Sequence, residues 1–222
     1  MRTLYHQWLS PFARKVRITL KEKGLDFSLI VENVWERRED FLALNPAGTV
    51  PVLVEEGARV LADSGAICEY LDETCPDPPL LGGDPVDRAE ARRLVAWFDG
   101  KFNGEVTAPL TNEKIMKRFL RLGEPDSAAI RAGQHNVRGH LDYIAWLSER
   151  RKWLAGDEFS LADIAAGAHI SVVDYLGDVP WSEHPGAQEW YARIKSRPSF
   201  RPLLADHIPG APPPPHYADL DF

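Results

Sequence analysis

"LSPFARKVR", Leu9 to Arg17, sets a Ser-Pro pair directly ahead of a run that alternates cationic and aliphatic residues. Proline has no backbone N–H to leave unpaired, so it suits the first position of a helix. The residue before it is driven to the extended geometry of an N-cap. Ser10 is therefore expected to cap a helix that starts at Pro11, with Phe12, Val16 and Leu20 on one face and Gly24 as its stop. Thr3 to His6 and Phe27 to Val31 read as short strands on either side. A strand-helix-strand unit of that length implies a parallel pair joined by a right-handed crossover.

Phe41, Leu42 and Leu44 suggest a short second helix, and Val50 to Val54, a turn at Glu56-Gly57 and Arg59 to Leu61 read as a hairpin. Asp63-Ser64 then opens a third helix running through Leu71. The order βαβαββα defines an α/β domain over residues 1–76. Pro, Gly and Asp concentrate between Glu73 and Asp87, which places a linker at 77–84. Helical spacing dominates 88–104, 127–153, 161–176 and 186–195, so residues 85–206 are expected to form an all-α domain. There Ser160 and Asp163 have capping-box spacing, a folding element. Four consecutive prolines in "HIPGAPPPPHYADLDF", 207–222, mark a tail too proline-rich for a helix.

The 222 residues are 44% hydrophobic and carry a formal net charge of -7, which disfavours nucleic acid and anionic membranes as partners. Arg14, Lys15 and Arg17 are the candidate local basic patch. No uncharged apolar window reaches the ~18 to 20 residues of a membrane helix, and no signal peptide precedes the first strand, so a cytoplasmic address is expected. Cys68 and Cys75 have neither metal-ligand nor CxxC spacing, and the seven histidines show no ligand pattern, so no metal is expected.

"SPFARKVR", "NPAGTVPVL" (Asn45 to Leu53), "DSGAICEYL" (Asp63 to Leu71) and "FSLADIAAG" (Phe159 to Gly167) occur in the order seen in the glutathione S-transferase superfamily, and the chain resembles its serine-type cytosolic members. The resemblance implies a thioredoxin-like domain followed by a helical domain, a homodimer, and glutathione as co-substrate added to a small electrophile. It implies that Ser10 donates a hydrogen bond to the glutathione sulfur and favours thiolate, although a Ser-Pro pair is also an ordinary cap. Val50 and Pro51 resemble the turn that pairs with the cysteinyl backbone, and Asp63 with Ser64 resembles the receptor for the γ-glutamyl end. Trp8, Trp97, Phe98 and Phe102 are candidates for an electrophile pocket, and aromatic residues on amphipathic helices serve equally as core.

Where many relatives carry Lys, Arg or Gln before the Val-Pro turn, this chain has Thr49, so Arg37, Arg38 or another cation is the candidate replacement for holding the glycine carboxylate. "WERREDFLALNPAGTVPVL", Trp35 to Leu53, and the acidic-aromatic terminus also resemble one branch of the superfamily, the FzlA proteins, which bind the division polymer protein FtsZ. That resemblance implies a second function class, a noncatalytic binding module, with Trp35, Tyr217, Leu220 and Phe222 as contact candidates.

Overall fold

The computed structural model describes residues 1–220; Asp221 and the candidate Phe222 lie outside the described residues. Strands β1 (Arg2–His6), β2 (Phe27–Val31), β3 (Val52–Val54) and β4 (Val60–Ala62) form one sheet in the order β2-β1-β3-β4. β1 and β2 are parallel, and the other pairs are antiparallel. Helices α1 (Pro11–Glu22), α2 (Glu39–Leu44) and α3 (Ser64–Thr74) complete the expected βαβαββα order. Gly24 at φ 64 closes α1 in the left-handed conformation that glycine adopts without Cβ cost.

The second layer is helical. α4 (Pro85–Ala96) continues without a break through a π-helical stretch (Trp97–Thr107), α5 (Ala108–Thr111), a second π stretch (Asn112–Met116) and α6 (Lys117–Leu120). The sequence expectation of a helix ending near Gly104 is therefore too short. Pro109, which lacks an N–H and clashes with the carbonyl four residues back in an α-helix, follows directly on i→i+5 geometry. α7 (Ser127–Ser148), α8 (Leu161–Tyr175), α9 (Pro185–Lys195) and α10 (Arg201–Leu204) follow. α8 is buried along its whole length, and its N-terminus carries the expected capping box. Asp163 also accepts from Leu154 N–H at 3.0 Å and Trp190 Nε1–H at 3.0 Å, which ties the box to two neighbouring segments.

α1 is buried all round rather than on one face, and its cations are core residues. Arg14 donates to the Trp8 carbonyl at 2.7 Å, to Ser171 Oγ at 2.8 Å and to Asp206 at 3.3 Å. Arg17 forms a fork on both Asp206 oxygens, at 2.7 and 2.8 Å, and Lys15 pairs with Asp99. The expected basic patch is thus neutralised inside the fold.

The terminal segment docks on its own domain. Tyr217 is 0% exposed, packs edge-on against Tyr175 at 5.2 Å and donates to the Leu203 carbonyl at 3.2 Å. Tyr175 OH donates to Ala211 O at 2.9 Å, Lys195 donates to His216 O at 3.0 Å, and Pro215–Ala218 make a 3₁₀ turn despite the prolines before it. Tyr217 is therefore corrected from partner contact to core residue.

Removing a buried aromatic residue costs about 3–5 kcal/mol. Truncation after Gly210 should accordingly lower Tm by roughly 6–20 °C in a chain of this size. An unchanged calorimetric Tm would mean the tail is not part of the fold.

Candidate functional site

The turn from β1 into α1 is pinned before it reaches the site. Arg14 holds the Trp8 carbonyl, Ser10 N–H donates to the Gln7 carbonyl at 3.2 Å, and Ser10 Oγ accepts from Ala13 N–H at 3.2 Å. A hydroxyl that caps by accepting keeps its hydrogen free to donate elsewhere. Ser10 faces a cleft of about 420 Å³ between the two layers.

Val50, Pro51, Asp63 and Ser64 line the same cleft, so five sequence-predicted site residues meet there. The Val50–Pro51 bond is cis, and the Val50 backbone makes no hydrogen bond to the described residues. Asp63 sits at φ 72, where a residue with a Cβ is strained, and its carboxylate accepts from Gly65 and Ala66 N–H at 2.8 and 3.1 Å. Those caps occupy two donors of the α3 N-terminus, which leaves Ser64's own N–H and hydroxyl for an incoming anion. Asn45 Nδ2 donates to the carbonyl of Thr49 at 2.8 Å, which fixes the loop ahead of Pro51. Arg38 is held by Glu32. Arg37 makes no ion pair among the described residues, and its Nη1 lies 3.7 Å from where a Cβ on Gly48 would stand, close to Thr49.

The facing wall is polar: Asn103, Thr107, Thr111 and Asn112 come from the π-distorted helix. Thr107 Oγ lies 3.0 Å from His169 Nδ1, His169 Nε2 lies 3.3 Å from Asp99, and Asp99 pairs with Lys15. Burial pushes the Asp99 carboxyl up, but the His169 hydrogen bond and the Lys15 charge more than offset it and hold it below its ordinary value. Burial lowers the His169 pKa, so the ring is neutral at pH 7, donates from Nε2 and accepts at Nδ1 from the Thr107 hydroxyl. The four-residue spacing of Asn103, Thr107 and Thr111 was the sequence signal for this wall, and the aromatic residues drew the reading away from it.

Of the four aromatic residues named for the electrophile pocket, Trp8 lines an apolar pocket of about 260 Å³ that adjoins the cleft and is also lined by Trp35, Ile115, Met116 and Phe119. Phe98 and Phe102 are 0% exposed in the core, and Trp97 donates to His140 Nδ1 at 3.1 Å while packing on Tyr143. Phe98 and Phe102 are corrected from pocket to core, and Trp97 from pocket to a half-buried residue packed against that core. Trp35 stands edge-on to Phe119 at 5.2 Å on the outer rim, and Leu220 lies at the end of the described chain. Burial pushes the Cys68 thiol up to about 11, which makes it inert. Among the described residues no three His, Cys, Asp or Glu side chains group as metal ligands, and no helix is long and apolar enough to cross a membrane.

Family models for the glutathione S-transferase N-terminal domain and C-terminal domain match residues 9–74 and 113–198. FtsZ-localized protein A of Caulobacter vibrioides is 52% identical over 224 residues, covering 100% of this chain and 98% of that protein. Glutathione S-transferase 3 of Zea mays is 32% identical over 95% of this chain and 96% of its own length. A crystal structure of a glutathione S-transferase from Rhodospirillum rubrum F11 superposes with TM-score 0.98 at 60% identity, covering 100% of both chains.

His6, just before the pinned turn, is 0% exposed, and neither ring nitrogen makes a hydrogen bond among the described residues. Burial and the nearby Arg17 charge lower its pKa to about 4. The folded protein therefore binds this proton more weakly than the unfolded chain, and the stability held above pH 6.5 is lost as pH falls toward 4. From pH 7 to 4.5 the parent should lose roughly 2–3 kcal/mol more than His6→Leu in denaturant titrations. Parallel losses in the two proteins would remove His6 from the acid response.

Proposed function

This chain belongs to the glutathione S-transferase family, and on that premise we propose that it binds glutathione in the cleft and adds its sulfur to a small electrophile. The observation that carries the reading is the Ser10 hydroxyl, fixed at the α1 N-terminus as a cap acceptor with its hydrogen unspent. Donated to the glutathione sulfur, that hydrogen bond and the helix end favour thiolate over thiol. Lowering a thiol pKa of ~8.5 by about two units stabilises the thiolate by about 2.7 kcal/mol. Ser10 polarises the nucleophile and is not itself one.

The remaining cleft residues match the peptide end to end. The unpaired Val50 backbone beside Pro51 suits the cysteinyl residue as a strand-like partner. Ser64 N–H and hydroxyl suit the γ-glutamyl carboxylate, and the outer oxygen of Asp63 suits its ammonium. Arg37 stands in for the missing cation at Thr49. The electrophile occupies the apolar pocket beside Trp8, next to the sulfur. The boundaries at 76 and 85, a homodimer and a cytoplasmic location complete the reading by family likeness.

A second reading rests on the full-length relative named for its localisation with FtsZ. In it, Trp35 and Phe119 on the rim of the apolar pocket are the contact surface for FtsZ polymers, with Leu220 a further contact candidate near the chain end. Phe119 is 57% exposed and its ring contact with Trp35 keeps two large apolar groups at the surface.

Ser10→Ala should lower kcat/KM for glutathione conjugation at least tenfold at pH 7 with glutathione Kd within about twofold, and cap loss should cost about 1 kcal/mol of stability. Unchanged turnover removes Ser10 from the chemistry. In co-sedimentation with FtsZ polymers, Trp35→Ala should lose binding while Ser10→Ala keeps it. Failure of the parent to co-sediment ends the second reading.

A further inference from the structure

β2 is one edge of the sheet. Glu32 N–H donates to the His6 carbonyl at 2.9 Å, so the even-numbered residues of β2 spend their backbone groups on β1. The N–H and C=O groups of Phe27, Leu29 and Val31 therefore point away from the sheet, and no loop or turn among the described residues bonds them. The side chains here are apolar and open: Leu29 is 36% exposed, Ile30 40% and Val31 47%. The strand, FSLIV, holds no lysine, no proline and no charge, the devices that keep free edges apart. The opposite edge differs, since β4 has three residues and none of them is exposed.

We propose that β2 pairs with β2 of a second copy of this chain, antiparallel about Leu29, so that two four-stranded sheets become one of eight strands. The strand is its own complement. Its outward residues are symmetric about Leu29, so Leu29 faces Leu29 and Phe27 faces Val31 of the other copy. Each facing pair exchanges two N–H···O bonds, about six in all. Those side chains meet on one face of the joined sheet, and Ser28 meets Ile30 on the other.

Charge matches the ends of the ladder. In this register Asp26 comes level with Glu32 of the other copy, whose carboxylate is buried and held by an exposed Arg38. Asp26 is itself exposed, so each end brings an anion to a cation. A net charge of -7 sets two copies against each other at long range, but the strand that pairs is neutral. Two-fold pairing uses up the open edge of both copies and stops at a dimer. Val31 also lines the apolar pocket, so each pocket of the pair has one residue in the seam.

The inference assigns a surface to the homodimer of the proposed function and rests on that homodimer, not on either chemistry. In sedimentation velocity the full chain should run at twice 24.9 kDa. Leu29→Lys, which sets two ammonium groups face to face, should raise the dimer Kd at least tenfold with far-UV circular dichroism unchanged. A monomeric parent leaves the edge to a strand of another protein and overturns the homodimer and this pairing together. A dimer that Leu29→Lys leaves as tight joins through another face and overturns the pairing alone. Disulfide trapping in a Cys75→Ser background reads the register. Leu29→Cys should trap a covalent dimer under mild oxidation, because facing α-carbons lie about 5.5 Å apart, within disulfide reach. Ser28→Cys should not, its two copies lying about 8 Å apart. Should Leu29→Lys not fold, the trapping decides: no covalent dimer from Leu29→Cys, or equal trapping at both positions, overturns the proposal.

Discussion

The carboxylate of Asp206 sits between two guanidinium groups of α1, and much of the molecule is arranged around keeping those three charges satisfied away from water. Asp206 takes Arg17 as a two-bond fork and Arg14 through one further contact, and all three groups are nearly inaccessible. Two cations on one anion leave an excess charge, which the Trp8 carbonyl, Ser171 Oγ and the ring faces of Trp8 and Tyr175 spread. Removing one partner of such a buried set costs about 3–5 kcal/mol because the others stay buried and unpaired. The cluster joins the first helix of the α/β layer, the middle of α8 and the segment leading into the tail.

That cluster also reaches the chemistry. The bond from Arg14 to the Trp8 carbonyl fixes the loop that carries Gln7 and Ser10, so the site loop is held by an interaction whose other end lies 192 residues away. The opposite wall of the cleft is held by the parallel device one helical step on: Lys15 to Asp99, Asp99 to His169, His169 to Thr107. Adjacent cations on α1 thus brace the two sides of one cleft. The π-helical stretches set which residues that second wall shows. They turn Asn103, Thr107 and Thr111 toward the cleft while Phe98 and Phe102 stay in the core.

The sequence carried the α/β layer well because its signals are local. Ser10 before Pro11, glycine at position 24, the Val-Pro turn and Asp63 before Ser64 each act within a few residues. Ser10, Val50, Pro51, Asp63 and Ser64, five of the residues that line the cleft from that layer, are legible for the same reason. The errors fall where partners are distant. Arg14, Lys15 and Arg17 read as a surface patch because nothing near them announces Asp99 or Asp206, 84 and 189 residues on. Trp97, Phe98 and Phe102 have the spacing of either a pocket wall or a core ridge, and only the packing of α7 and α8 decides between them. Proline content argued against structure after 207, yet Tyr217 buries itself between Tyr175 and α10, a contact that composition does not encode.

The two functional readings share physical ground, and this has a consequence for how they interact. Trp35 and Phe119 form the outer rim of the same 260 Å³ pocket whose inner end is Gln7 and Trp8. A small molecule filling the pocket changes the rotamers and solvation of the rim, and a protein partner seated on the rim covers the entrance. Binding at two places that draw on one set of side chains is thermodynamically linked, so whatever factor the pocket ligand imposes on the partner's affinity, the partner imposes on the ligand's. Occlusion of the entrance alone slows entry and exit of the ligand alike and leaves that factor unchanged, so its sign is set by whether the two occupants favour the same arrangement of the rim side chains. Ser10 takes no part in it, so a change at Ser10 alters the chemistry and leaves the rim as it was.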